Sequence, residues 1–172
     1  GWRTTGLDSS WQSWMWKRGQ GMDVVNYEGN GVAGHEILHS LNQVPEMMWM
    51  KNRNQSSENW VVYHKDLNGG SNPAEYNLTL NGTDPETASS NRWNDTAPTS
   101  TLFTVGSHAI VNNNGDNIIS MLFSSVTGIS KCGSYTGTAN SAQSISLGFQ
   151  PRFLIIKNAT GTANNWTTGW FT

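Results

Sequence analysis

The chain repeats itself at a spacing of about 107 residues, which is far longer than the period of a short solenoid repeat. Pro45, Lys51 and Trp60 return as Pro151, Lys157 and Trp166, all at one constant offset. The further matches are Ser40-Leu41 with Ser146-Leu147, Met47–Met50 with Phe153–Ile156, Tyr27-x-Gly29 with Tyr135-x-Gly137, and Trp14-Met15-Trp16 with Met121-Leu122-Phe123. A period this long predicts a tandem array of nearly self-contained domains.

This register divides the chain into three parts. Residues 1–22 would end one unit, residues 23–130 would form a complete unit, and residues 131–172 would begin a third. We therefore expect a fragment of a longer polypeptide.

Composition favours strands and turns over helices. The sequence holds 20 Asn, 19 Ser, 17 Thr and 18 Gly, more than two-fifths of its residues. Short polar side chains compete for nearby backbone groups, and glycine loses backbone entropy in a helix, so these residues favour turns and caps. Long helices are not expected, and nine Trp residues indicate a packed core rather than disorder.

Apolar patterning places the strands. Residues 46–51, 60–63 and 118–123 are apolar on both faces and predict buried central strands, whereas the alternation at 76–80 and 103–105 predicts half-buried ones. Asn-Gly, which suits tight hairpin turns, stands at 30–31, 68–69, 81–82 and 114–115. The prediction is an all-β fold, an antiparallel, jelly-roll-like β-sandwich unit of about 107 residues in tandem repeat.

Charge and cysteine content exclude several classes. Only 13% of residues are charged, the net charge is −2, and the basic residues form no cluster beyond Lys17-Arg18 and Lys51 with Arg53, so nucleic-acid binding is not expected. No run of about eighteen apolar residues exists, so membrane insertion is not expected either. With the single cysteine Cys132, no intrachain disulfide can form.

His35-Glu36-Ile37-Leu38-His39 fits the H-E-x-x-H pattern of zinc hydrolases. That chemistry needs a helix that places both imidazoles on one face, yet Gly34 precedes the motif and Pro45 follows it closely. On a strand, His35, Ile37 and His39 would share one face instead. Zinc hydrolysis therefore stays only as an alternative function. The main expectation is that the chain has no metal site, no cofactor and no catalytic residue.

Other short patterns carry a structural interpretation. Residues 29–34 fit G-x-G-x-x-G, but no helix is expected after them, so they predict a glycine-rich hairpin turn rather than a nucleotide site. Residues 112–117 predict a hairpin tip rather than a calcium loop. Six Asn-x-Ser/Thr sequons, at Asn54, Asn77, Asn81, Asn94, Asn158 and Asn165, are expected to arise mostly by chance in so Asn-rich a chain.

The remaining candidate side chains are histidines, the cysteine and tryptophans. His64, His108 and Cys132 lack spaced partners and are expected to be structural. Trp49 is expected in the core, whereas Trp93 and Trp170 stand among polar residues and are candidates for exposed, sugar-stacking aromatics. These signals do not identify a ligand-binding residue.

Two segments carry a family resemblance. Residues 91–106, Asn-Arg-Trp-Asn-Asp-Thr-Ala-Pro-Thr-Ser-Thr-Leu-Phe-Thr-Val-Gly, and 130–137, Ser-Lys-Cys-Gly-Ser-Tyr-Thr-Gly, resemble a repeated β-domain of uncharacterised function. That domain is found in structural proteins of tailed bacteriophages, particularly marine ones. The likeness covers most of residues 14–166, and Cys132 departs from it because a less reactive residue is expected there.

What the resemblance implies is a non-enzymatic virion component on the particle surface. It would be a tail fibre or appendage module for host attachment or fibre assembly, self-associating as a homotrimer and contacting other virion proteins. The alternative function is a carbohydrate-binding, lectin-like module that holds host-surface glycans.

Overall fold

The computed structural model describes residues 17–170, and within them nearly all regular structure is β-strand. Helix is limited to α1 (Ala109–Asn112) and two short 3-10 segments, Leu67–Gly70 and Pro73–Glu75. All strand pairs are antiparallel. The all-β prediction is confirmed.

Residues 17–170 contain ten strands, which form three sheets. They are β1 (Met22–Glu28), β2 (His35–Leu38), β3 (Met47–Asn52), β4 (Val61–His64), β5 (Tyr76–Thr79), β6 (Thr87–Ala88), β7 (Leu102–Val105), β8 (Asn117–Phe123), β9 (Phe153–Ile156) and β10 (Thr167–Trp170). The largest sheet has the order β1-β8-β3-β4-β5-β6, while β2 pairs with β7 and β9 pairs with β10.

The three segments predicted as central strands occupy the middle of the large sheet as β8, β3 and β4. Successive side chains of a strand point to opposite faces, so an apolar residue at every position requires cover on both sides. In β3 this alternation sends Met48 and Met50 to one face and Met47 and Trp49 to the other. The prediction of buried central strands is confirmed.

The large sheet packs face to face with the β2–β7 sheet over a core that we call the inner core. Its buried members are Ile37, Leu41, Met48, Met50, Val61, Tyr63, Ala74, Trp93, Phe103, Val105, Ile110, Val111 and Leu122. Both sheets and α1 contribute side chains, which confirms the sandwich arrangement. The predicted length of the repeating unit stays a prediction.

A second apolar layer, the outer cluster, covers the opposite face of the large sheet. Its buried members are Trp49, Val62, Leu67 and Leu78, and its partly buried members are Met47, Trp60, Tyr76, Leu80, Met121, Phe123, Ile155, Ala159 and Trp166. Ile155 comes from β9, and Ala159 and Trp166 come from the loop between β9 and β10. The third sheet therefore lies on the outer face of the first.

Two of the four Asn-Gly pairs lie between paired antiparallel strands, in connections that span residues 65–75 and 80–86 rather than in tight turns. Asn68-Gly69 and Asn81-Gly82 lie in connections between neighbouring antiparallel strands, and both residues of the first pair have positive φ, 52° and 64°. Asn30-Gly31 instead connects β1 to β2, which belong to different sheets, and Asn114-Gly115 connects α1 to β8. The hairpin predictions for residues 29–34 and 112–117 are therefore wrong.

A buried carboxylate ties β1 to the chain after β2. Asp23 accepts hydrogen bonds from the Ser40 amide (2.7 Å), the Val24 amide (2.9 Å) and the Arg18 guanidinium. Burial acts to raise the pKa of the Asp23 carboxyl, but these hydrogen bonds outweigh it and bring the pKa below its ordinary value. Asp23 is thus held as the carboxylate.

Candidate functional site

The H-E-x-x-H motif lies on strand β2 and the residue after it, with no helix. As expected for a strand, Ile37 is buried and both histidines are half-buried, while Glu36 and Leu38 are exposed, Leu38 at 73%. Two residues four apart on a strand are separated by roughly four rises of 3.3 Å, much farther than one helical turn. The geometry that the zinc-hydrolase alternative requires is absent.

Each histidine has its own partner. His35 Nδ1 lies 3.2 Å from Asn112 Oδ1, and the ring packs edge-on against Tyr27. His39 Nε2 lies 3.2 Å from the Thr99 carbonyl, and its ring stacks on Phe103. Within residues 17–170, no group of three or more His, Cys, Asp or Glu side chains is placed to hold a metal ion. Both histidines therefore fasten β2 to its surroundings.

The G-x-G-x-x-G segment is a crossover loop with no helix behind it. A Cβ on Gly29 would lie 2.2 Å from the Asn113 carbonyl oxygen, so only glycine fits there. Gly31 and Gly34 have φ of 71° and 84°, in the left-handed region that favours glycine. Close packing against the end of α1 explains Gly29, and the left-handed backbone conformation explains Gly31 and Gly34.

Asn112 organises this region, and the sequence analysis missed it. Its side chain is fully buried, and its Nδ2 donates to the Val32 carbonyl (2.8 Å), the Gly106 carbonyl (2.9 Å) and Asn30 Oδ1 (3.2 Å). Its Oδ1 accepts from the Asn30 amide at 2.9 Å. Nothing in the run of three asparagines distinguishes the buried one, because its partners are up to 82 residues away in the chain.

Asp116 forms a second polar anchor beside α1. One oxygen, Oδ2, accepts from Asn52 Nδ2 (2.8 Å), Asn113 Nδ2 (2.9 Å) and Gln55 Nε2 (3.0 Å). These hydrogen bonds lower the pKa of the Asp116 carboxyl below its ordinary value. Since three amide groups already occupy this oxygen, the loop is built as a structural connection to β3.

The predictions made for the tryptophans have different outcomes. Trp49 is buried as expected. Trp93 is only 1% exposed, donates its indole N–H to the Tyr76 carbonyl (2.8 Å) and packs edge-on against Tyr63, so this candidate is not an exposed, sugar-stacking residue. The polar residues beside Trp93 in sequence do not surround it in space. The Trp170 side chain lies outside the described part of the structure.

An open polar cleft of about 660 Å³ lies beside β5 and β6. It is lined by Glu75, Ala88, Ser89, Ser90, Asn91 and Asp95. The lining offers carboxylate, hydroxyl and amide groups but no aromatic ring. It can therefore form hydrogen bonds with a polar ligand, without a surface for stacking on the face of a sugar.

One of the sequon asparagines, Asn77, lies in the interior of the folded domain. Its side chain is buried in β5. A glycan on this amide could not be accommodated in the folded domain.

The thiol of Cys132 is buried in the chain that follows β8. The Cys132 amide donates to Ser125 Oγ (3.0 Å), and burial raises the pKa of the thiol to about 12.

His64 and His108 also have structural roles. The Nδ1 of His108 accepts from the Ile110 amide at 3.1 Å and caps α1, and the Nδ1 of His64 accepts from the Asp66 amide.

Cys132 is expected to react with a disulfide reagent such as DTNB at pH 8 about 100-fold more slowly in the folded protein than in urea. The thiolate is the reactive species, and both burial and the raised pKa reduce its concentration and access. Stopped-flow absorbance with and without denaturant measures the two rates. Equal rates would show that the thiol is accessible.

Outside the inner core, the β3–β4 and β9–β10 hairpins share the same strand register. In the β3–β4 hairpin, Met47 pairs with His64 and Met50 with Val61; in the β9–β10 hairpin, Phe153 pairs with Trp170 and Ile156 with Thr167. These pairs occupy equivalent positions in the two copies of the repeat. Moreover, Lys51 Nζ donates to the Glu58 carbonyl, and Lys157 Nζ donates to the carbonyl of Asn164, which is the equivalent contact in the second copy.

The match does not extend upstream. Tyr135 and Gly137, aligned with Tyr27 and Gly29, lie in exposed irregular chain rather than in a counterpart of β1. β1 pairs with β8 along its whole length. No strand pairs with the segment 131–152 in the described structure, which explains the difference. The Trp14-Met15-Trp16 part of the repeat lies outside the described residues.

The β9–β10 hairpin is fixed onto the large sheet by polar and apolar contacts. The Trp166 indole N–H donates to the Thr79 carbonyl (2.9 Å), the Asn164 amide to the Thr83 carbonyl (2.9 Å), and the Glu86 amide to the Ala159 carbonyl (2.8 Å). Lys157 Nζ also reaches the Thr83 carbonyl at 2.6 Å. This contact between β5–β6 and the hairpin is the candidate functional surface, and we call it the docking surface.

Across residues 17–170, no helix is long and apolar enough to cross a membrane. Comparisons with curated proteins and with solved structures found no significant match. Residues 8–169 match the family model described as domain of unknown function DUF7483, and this match runs across the predicted unit boundary near residue 130. Because the match covers most of the sequence, the chain belongs to the DUF7483 family.

Proposed function

We propose that the chain is a non-enzymatic structural module of a phage virion, part of a tail fibre or surface appendage that serves fibre assembly or host attachment. The observation that carries this proposal is the docking surface. There, a hairpin with the register of β3–β4 packs onto the sheet that contains β3–β4.

Such a contact suits a protein built from units in series. The outer cluster brings Trp49 and Trp60 together with Ile155 and Trp166, which are their counterparts in the second copy of the repeat. Apolar burial of this kind joins neighbouring units without a disulfide. Hydrogen bonds from the hairpin to the backbone carbonyls of Thr79 and Thr83 fix their relative orientation.

The virion assignment itself rests on the resemblance of residues 91–106 and 130–137 to a domain of phage structural proteins. Homotrimeric self-association and contacts with other virion proteins are part of the proposal. The structural roles of His35, His39 and Asn112 support a non-enzymatic module, since the side chains that match catalytic patterns are engaged in packing.

The proposal is tested on purified particles of the phage that encodes the chain. Mass spectrometry of density-purified virions should detect its peptides at a copy number that is a multiple of three, and immunogold labelling should mark an external appendage. A major capsid protein serves as the positive control, and a phage replication protein as the negative one. Peptides found only in the lysate and absent from particles would overturn the proposal.

A second candidate function, glycan binding, is favoured by the polar cleft beside β5 and β6. Glu75 and Asp95 can accept hydrogen bonds from sugar hydroxyls. A glycan array should then show binding that is lost in Glu75→Gln with Asp95→Asn and retained in Glu36→Gln, which alters an exposed carboxylate on β2. Equal binding by both variants would place any sugar elsewhere.

A further inference from the structure

His108 caps α1 in a way that determines the protonation state of its ring. Its Nδ1 lies 3.1 Å from the Ile110 amide nitrogen, and the side chain is the N-cap of the helix. A backbone amide can only donate a hydrogen bond, so Nδ1 must be the acceptor, and the ring is neutral with its proton on Nε2. A second proton could bind only at Nδ1, where it would point at the amide. Protonation of His108 therefore breaks the cap.

The surroundings of the ring oppose its protonation. Burial lowers the pKa of His108 below its ordinary value of 6.5, and the Arg92 guanidinium lowers it further, while the Glu58 carboxylate acts in the opposite direction. The Nε and Nη1 atoms of Arg92 are buried without a hydrogen-bond partner in the described part of the chain, so no carboxylate is bonded to them. When the cap opens, the ring leaves this environment and binds a proton more readily.

The helix that His108 caps holds two parts of the fold together. Ile110 and Val111 belong to the inner core, and the Asn112 side chain bonds to the loop at residues 29–34. The Gly31 amide also donates to the Asn112 carbonyl at 2.9 Å. Because α1 has only four residues, its first hydrogen bond is a large part of what fixes it. Opening of the cap therefore loosens both α1 and the loop.

We propose that His108 and α1 form an acid-sensitive latch, which holds the loop at residues 29–34 while the ring is neutral and releases it when the ring binds a proton. The closed form has the lower pKa at His108, so its stability is fully present above pH 6.5 and is lost as the pH falls from there toward the lowered pKa. The latch belongs to this domain alone and does not depend on the virion assignment.

Other titratable groups contact α1 or lie beside it, and their chemistry gives no such response. The pKa of Asp116 is lowered, so this carboxylate stays ionised between pH 5 and pH 7, and the raised pKa of Tyr27 keeps its phenol neutral. His35 contacts Asn112 Oδ1, which can only accept, so its Nδ1 carries a proton in both charge states and keeps the hydrogen bond. A response of the cap in this pH range is therefore specific to His108.

The experiment measures hydrogen exchange by NMR on the full 172-residue chain at pH 7 and pH 5, with each rate divided by the intrinsic rate at that pH. The protection factor of the Ile110 amide should fall about fivefold at pH 5, which is the factor that a lost N-cap costs. Protection at Gly31 should fall with it. The Leu80 amide, which donates to the Trp60 carbonyl, is the reference and should keep its protection.

Two variants separate the latch from a general loss of stability. His108→Asn keeps a side-chain acceptor at the N-cap and does not titrate, so its Ile110 protection should be the same at both pH values. His108→Ala removes the cap, and Ile110 protection should be reduced about fivefold at pH 7 as well as at pH 5. A fall with pH that persists in His108→Asn would assign the response to another group. A wild-type protein without the fall, or with an equal fall at Leu80, would show that no latch exists.

Discussion

Replacing Asn112 with alanine is expected to lower the free energy of unfolding by about 3–4 kcal/mol, measured by urea denaturation at pH 7. The side chain is fully buried and hydrogen-bonds to two separate segments, through Asn30 and Val32 in the loop at residues 29–34 and through Gly106. Alanine would leave the Asn30 amide and the carbonyls of Val32 and Gly106 without this partner. A buried polar group that loses its hydrogen bond costs about 1–3 kcal/mol.

Asn114→Ala is the matched control, since this asparagine lies close to Asn112 in the chain and is exposed. Its effect should stay within about 0.5 kcal/mol. Because Asn112 fixes the loop at residues 29–34, the Asn112→Ala protein should also show faster hydrogen exchange at the amides of Gly31 and Gly34. A stability change as small as that of the control would contradict the anchoring role.

Strand positions could be predicted from sequence because local patterning determines them. Residues 46–51, 60–63 and 118–123 are apolar at consecutive positions, and only a strand covered on both faces buries such a run. The observed strands β3, β4 and β8 begin and end close to these limits. The all-β class follows from the same signal together with the scarcity of helix-forming stretches.

Connectivity could not be predicted, because it depends on contacts between distant segments. Asn-Gly marks a place where the backbone adopts positive φ, and Gly31 and Gly115 do so. It does not determine whether the strands on either side pair with each other. The strand that follows Asn30-Gly31 pairs with β7, which is distant in sequence, so the chain crosses between sheets instead of turning back.

The candidate site shows the same limit. Trp93 has Arg92 and Asn94 as neighbours in sequence, which suggested exposure, yet tertiary packing places its ring against Tyr63. Conversely, Asn112 stands in a stretch of sequence that is typical of a surface loop, yet its side chain is fully buried. Side-chain environment is set by which elements pack together, and composition in a short window carries no information on that.

At its downstream end, the sequence repeat corresponds to two hairpins of the same register, β3–β4 and β9–β10. Lys51 and Lys157 each donate to a carbonyl within their own hairpin loop, at equivalent positions. A hairpin forms from contacts that are local in sequence, so it can adopt its fold without distant strands. Segment 131–152, aligned with β1, needs a distant partner of the β8 type for its pairing, and it is irregular here.

Trp93→Ala is expected to destabilise the protein by about 3–5 kcal/mol, because it removes a large side chain that is 1% exposed and leaves a cavity in the inner core. Trp93→Phe keeps much of the ring volume but loses the hydrogen bond to the Tyr76 carbonyl. The loss for phenylalanine should be smaller, about 1–2 kcal/mol. Both values are measured by urea denaturation.

The comparison also separates a packing role from a sugar-binding role for the aromatic residues. Tyr135→Ala is the control, since Tyr135 is 48% exposed and its removal should change stability by less than about 0.5 kcal/mol. If Trp93 packs in the core, its replacement lowers stability and glycan-array signals change only through unfolding. A Trp93→Ala protein of unchanged stability that lost glycan binding would instead mean that Trp93 is exposed and stacks on a sugar.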